Sequence, residues 1–266
     1  MSRLLGMSSL LVALLGGPTL TSSAVAQVHA APQSVGDLLA RADLAFHGEV
    51  VRVEYVNSLP SEEAPGGIPH TFVTYRVERV LFGQDVAEEV TLRFFGGYDA
   101  DSQTFLAASV SPRFDVGDED VLFVAGNGTL ACPLVGNAHG RFRIIAGQVY
   151  TESGNTVSLE ADGTVRTGAG YDLEPISTTL VNGEVFLVSH RPLALRGPSP
   201  AMPGDALVAA VALEGLAAPA PRAAFRSLDA ARHFESRFPA PAPLRDRLPA
   251  DLREADGDAL DHSPDR

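Results

Sequence analysis

The chain has 266 residues, 45% of them hydrophobic, and 33 acidic side chains against 20 basic ones, all arginine, give a formal charge of -13. So acidic a chain repels phosphate backbones, which argues against nucleic acid as a partner, because sequence-independent affinity needs a concentrated Lys/Arg surface. Its single cysteine, Cys132, excludes an intramolecular disulfide and a cysteine zinc site, so stability must come from packing, and the thiol reads as a small buried hydrophobe.

Residues 1–26 read as an export signal, with Arg3 as the positive start, an apolar centre over 10–15, and Ala24-Val25-Ala26 as a small-x-small cleavage site before Gln27. The apolar run is shorter than the roughly 20 residues of a membrane-spanning helix, and Gly16, Gly17 and Pro18 interrupt it. The expected product is an exported chain, periplasmic or secreted, with no stable membrane insertion after cleavage.

Residues 34–42 carry Val35, Leu38, Leu39 and Ala42 at helical spacing, with Ser34 placed as an N-cap, so one short helix is predicted. Period-two patterning then takes over. Strands are predicted at 44–55, 71–81 and 90–95, separated by a Pro/Gly/acidic loop at 57–70 and a turn at 83–85. A second loop spans 96–111. Further strands are predicted at 121–125, 130–135, 140–145, 148–151, 156–159 and 164–166, with Gly and Asn turns between them. So many short strands at this spacing predict an all-β fold, a small OB-like barrel or a sandwich, over 34–190, with its core at 35–145 and a β extension at 146–190. From 191 to 266 the chain turns rich in Ala, Pro, Arg and Asp, which predicts a largely disordered tail interrupted by two short helices, 205–216 and 227–238.

The nucleophile elbow, the P-loop, the dinucleotide glycine fingerprint and the H-E-x-x-H zinc motif are all missing from the sequence. His47, His70 and His139 are the core histidines, and their spacing follows no metal-ligand pattern. Asp99 and Asp101 open a stretch like a calcium loop, but the twelfth residue is Val110 where a bidentate Glu is required. Asp118-Glu119-Asp120 reads as a charged turn at the mouth of a strand. Arg141 and Arg143 alternate with Phe142 and Ile144, which puts both guanidinium groups on one strand face, either as a row of solvent-facing ion pairs or as a grip on an acidic ligand. No cofactor is expected.

The run 43–50 (DLAFHGEV), the strands over 71–83 and 90–97, Phe114-Asp115-Val116-Gly117-Asp118 with Val121-Leu122-Phe123, and Val135-Gly136 leading to Phe142 resemble a group of exported bacterial domains of unassigned function. These are similar in outline to the OB-like barrel of the netrin and metalloproteinase-inhibitor modules, over about 35–145. The resemblance implies the fold and not the inhibitory chemistry, since those inhibitors use an N-terminal cysteine and several disulfides.

The reading that follows is an exported, non-enzymatic binding or structural protein that engages a protein, peptide or envelope component through the loops 57–70 and 96–111. Tyr98 and Phe105 are the aromatic contact candidates, with Arg141 and Arg143 for acidic groups. One alternative is a metal-dependent hydrolase using His70, His139 and Asp99. Another is an inhibitor or accessory partner of an exported protease.

Overall fold

The computed structural model describes residues 33–84, 86–107, 111–169, 171–179, 185–195 and 200–236. The leader pattern at 1–26 and the end of the tail, 237–266, lie outside the described residues.

The chain enters through α1 (Val35–Leu39), and the expected cap is present: the Ser34 hydroxyl accepts from the Asp37 amide while the Asp37 carboxylate accepts from the Ser34 amide. Three long strands follow, β1 (Leu44–Asn57), β2 (Pro69–Phe82) and β3 (Glu89–Phe95), and then a small hairpin of β4 (Gly97–Asp99) and β5 (Thr104–Leu106). After a long loop come β6 (Glu119–Val124), β7 (Arg141–Ile145) and β8 (Gln148–Thr151), a hairpin of β9 (Val157–Leu159) and β10 (Val165–Thr167), and an antiparallel ribbon of β11 (Tyr171–Thr179) and β12 (Val185–Leu195). The helix α2 (Gly204–Ala217) comes last.

The fold is mostly β, and its centre is an antiparallel six-stranded sheet in the order β3-β2-β1-β6-β7-β8. Each of its faces carries a buried cluster, because successive side chains of one strand point to opposite sides. On one side Ala45, Phe82, Val121, Phe123, Phe142 and Ile144 pack with Leu38 and Leu39 of α1 and with Leu207 and Val211 of α2. Leu207, Val208 and Val211 are the i, i+1, i+4 positions of one helix stripe, and each fully buried aliphatic side chain contributes about 1.5–3 kcal/mol. On the other side Leu44, Phe46, Val73, Tyr75, Leu92, Phe94, Leu122 and Val124 are roofed by loop residues Phe114, Cys132 and Leu134.

Of the two expected forms, barrel or sandwich, a closed barrel is not formed: among the described residues no ladder joins β3 to β8. Each outer edge is occupied by irregular chain instead. Along β3 the Thr91 amide donates to the Ser227 hydroxyl, the Thr91 carbonyl accepts from the Leu228 amide, the Arg93 amide donates to Asn127 Oδ1, and the Phe95 amide donates to the Ala131 carbonyl. Along β8 the Val149 amide donates to Met202. These groups are committed, so closure would break bonds as well as make them.

Two further expectations are corrected by the same covering segments. Residues 130–135 form turns with one bridge, Val124 to Leu134, rather than a strand, since this stretch roofs the second core and spends its polar groups on the ends of β3 and β6. In the expected tail, β12 runs past residue 191 to Leu195, the first predicted helix is present as α2, and 227–236 is extended and turning rather than helical. Its hydrogen bonds go to β3 and to loop 57–70, where the Leu59 amide donates to the Phe234 carbonyl. A helix there would withdraw those groups.

Candidate functional site

The two loops expected to carry binding meet at one end of the sheet. Loop 57–70 is held by its own polar groups: the Ser58 hydroxyl accepts from the Ile68 amide, and the Ser61 hydroxyl accepts from Ala64. The second loop contributes the β4-β5 hairpin, in which Tyr98 pairs with Phe105. Asn57 joins them by donating to Asp99 Oδ1 at 2.9 Å and to the Gly66 carbonyl at 3.1 Å. Asp99 also accepts from the Ser102 hydroxyl and the Asp101 amide, and these bonds outweigh burial to hold its carboxyl below the usual range. Tyr55 of β1 stands edge-on to both expected aromatics, 6.4 Å from Tyr98 and 6.0 Å from Phe105. The Arg113 guanidinium lies 6.0 Å over the Phe105 ring. Tyr55 and Leu59 are each 40% exposed. The result is an aromatic surface with one cation at its edge, built on the ends of three strands.

His70 starts at the same end but faces inward. Its Nδ1 is 2.9 Å from the Ile68 carbonyl, and its ring sits edge-on between Phe95 at 5.7 Å and Phe234 at 4.9 Å. Burial pushes its pKa from 6.5 down to about 4, against the Ile68 bond and with help from the Arg93 charge. A neutral imidazole results at ordinary pH. His139 lies in the short 3-10 turn Asn137–Gly140 and is exposed. The ligand atoms of His70, His139 and Asp99 do not come within shared reach of one ion.

Arg141 and Arg143 do share one face, as expected, but that face is not open to solvent. Arg141 is fully buried, with Nη2 2.6 Å from Asp118 and 2.9 Å from Asp120, and Nη1 2.8 Å from Glu152. Its guanidinium lies 4.3 Å over the Phe114 ring. Arg143 reaches Asp118 at 3.0 Å, and the Tyr75 hydroxyl donates to Asp120 at 2.8 Å. The sequence lacked the information that the loop carrying Phe114 folds over this face. Burial pushes the Asp120 pKa up in spite of Arg141, whereas at Asp118 the two arginines overcome burial and lower it. Both guanidinium groups are thus committed to carboxylates inside the fold, leaving no grip for an outside acid.

A third constellation went unread. Asp118 and Asp120 face Arg141, so Glu119 between them faces the other side, where its Oε1 is 2.8 Å from His47 Nε2. Glu78 Oε2 is 3.6 Å from His47 Nδ1. The register of β1 against β2 slips here, with His47 opposite Arg79 and Gly48 opposite Val77, so Glu78 is the extra residue of a bulge. A Cβ on Gly48 would stand 2.5 Å from the Arg76 carbonyl, so only glycine lets β2 approach this closely. Among the described residues, His47, Glu78 and Glu119 are the group whose ligand atoms lie within 4.8 Å of one another. A lone histidine in a strand was legible, but its two carboxylate neighbours depend on strand order and on the bulge.

One groove of about 920 Å³ runs beside the C-terminal segment, lined by Phe72, Arg93, Asn127, Arg226, Leu228 and Phe234 among others. Phe234 lines it with its ring 5.4 Å from Phe72 and 4.5 Å from the Arg93 guanidinium. No helix of the described residues is long and apolar enough to cross a membrane. No protein-family model matches this chain, and no curated protein does either.

Proposed function

We propose that the chain is an exported binding protein that engages a protein or peptide partner through the surface formed by Tyr55, Tyr98, Phe105 and Arg113. The observation that carries this reading is the convergence of the two loops on one aromatic cluster, tied by the Asn57 to Asp99 bond. Tyrosine and arginine presented together on a scaffold have the composition of interface hot spots, because they bury large area at low entropic cost and keep a polar tip. Loops held on a sheet end are the usual place for such a surface. Export rests on the leader pattern of residues 1–26 and predicts a mature N-terminus at Gln27.

The test compares envelope material co-purified with the wild-type chain, with a Tyr98→Ala/Phe105→Ala double variant, and with Arg166→Ala on exposed β10 as a control. A partner retained by wild type and control but lost from the double variant supports the reading. The same set of proteins recovered from all three would defeat it. N-terminal sequencing of exported material tests the leader separately.

A further inference from the structure

We propose that His47, Glu78 and Glu119 form a site for one divalent transition-metal cation, on the helix-bearing face of the sheet and apart from the aromatic surface. The three residues stand on adjacent strands, β1 in the middle with β2 and β6 on either side. Their donor set is one imidazole and two carboxylates, which suits zinc or manganese better than the all-oxygen preference of magnesium or calcium.

The spacing is near what coordination needs. Ligands about 2.1 Å from a tetrahedral ion are about 3.4 Å from each other. The ligand atoms here are already within 4.8 Å, and His47 Nε2 and Glu119 Oε1 stand 2.8 Å apart, so a cation entering between them has to open that pair only slightly. Glu78 completes the set by a side-chain rotation from the Nδ1 side of the ring. Both glutamates are more than two-fifths exposed and free to make that adjustment, while His47, only 14% exposed, is fixed by its strand. Solvent fills the remaining positions.

Charge makes the same argument. Glu119 lies directly opposite Glu49 in the β1-β6 ladder, a like-charge pairing that costs stability, and Glu49 is bound by Arg76. Glu78, Glu119 and Glu49 gathered around one imidazole form a cluster of carboxylates to which a divalent ion is attracted. The bulge at Glu78 and the close approach at Gly48 are the backbone devices that bring the second carboxylate to the ring.

The experiment uses the full chain purified without a histidine tag and stripped with chelator, titrated with ZnCl2 by calorimetry alongside Glu78→Gln, Glu119→Gln and His139→Asn. Losing even an outer-shell partner weakens metal sites by about 10- to 100-fold, so each glutamine variant should weaken binding at least about 10-fold, while His139→Asn and added MgCl2 leave it unchanged. A second measurement needs no variant: substoichiometric MnCl2 should broaden the His47, Glu78 and Glu119 amide resonances before any others. The proposal is overturned by no saturable one-to-one zinc binding, by equal affinity in the glutamine variants, or by broadening that starts elsewhere.

Discussion

Stability should fall steeply in mild acid because of His70. Its neutral ring is enclosed by Phe95 and Phe234, and its pKa in the folded chain is about 4 against an ordinary 6.5. The unfolded chain therefore takes up a proton at a pH where the native state does not, and the stability present above pH 6.5 is lost as pH falls. Integrating between the two values gives a loss of about 2 kcal/mol by about pH 5 and about 3 kcal/mol once His70 is fully protonated in both states. Other groups titrate over this range, so the quantity to measure is the difference between wild type and His70→Gln, which cancels their contribution. Urea unfolding of both proteins from about pH 7 to about pH 4.5 should show the wild type losing this amount relative to the variant, with the slope setting in below 6.5. A difference that stays flat with pH, or an imidazole that titrates near 6.5 by NMR, would refute the enclosure of the ring.

Replacing Arg141 by methionine should cost about 3–5 kcal/mol in chemical denaturation, since Asp118, Asp120 and Glu152 would face one another with their central partner gone. A loss below about 1 kcal/mol would mean that water reaches the cluster. Gly215→Ala in α2 should lower the melting temperature, although alanine is favoured over glycine in helices by about 1 kcal/mol, because the new Cβ would meet the Leu81 carbonyl at 2.3 Å. A rise in melting temperature would show that the helix does not touch β2 there. Cys132 should resist thiol reagents in the native chain and react on unfolding, because burial pushes its pKa up to about 11. Rapid labelling of the folded protein would contradict its place in the core.

The elements set by local chemistry were legible. Ser34 announces α1 by its side chain, the alternating residues of β1, β2 and β3 mark their strands to within a few positions, and the Asp205 stretch appears as α2. Cys132 is buried, as its neighbours Pro133 and Leu134 implied. What long-range contact decides was not legible. The alternation of Arg141 and Arg143 fixes a shared face but not whether Phe114 covers it, and the Ala/Pro-rich composition after residue 191 gives no sign that Ser227, Leu228 and Phe234 have partners on the sheet. Asn127 reads as a turn residue beside Gly128, whereas its amide serves as a substitute strand partner, accepting from Arg93 and donating to Thr91 and Arg226. Of the aromatic surface, Tyr98, Phe105 and both loops could be named from sequence, but Tyr55 could not, because its neighbours come from a hairpin more than forty residues away.

The bonds that cover β3 have a consequence for the order of assembly. Thr91 waits for Ser227, 136 positions later in the chain, and a loop of that length is slow to close. Every strand of the central sheet is complete before its outermost margin can be sealed, whether the polypeptide is emerging from a ribosome or collapsing from denaturant. During that interval Thr91 offers an open ladder to any neighbouring molecule, so residues 227–236 guard the newborn sheet against joining another of its own kind.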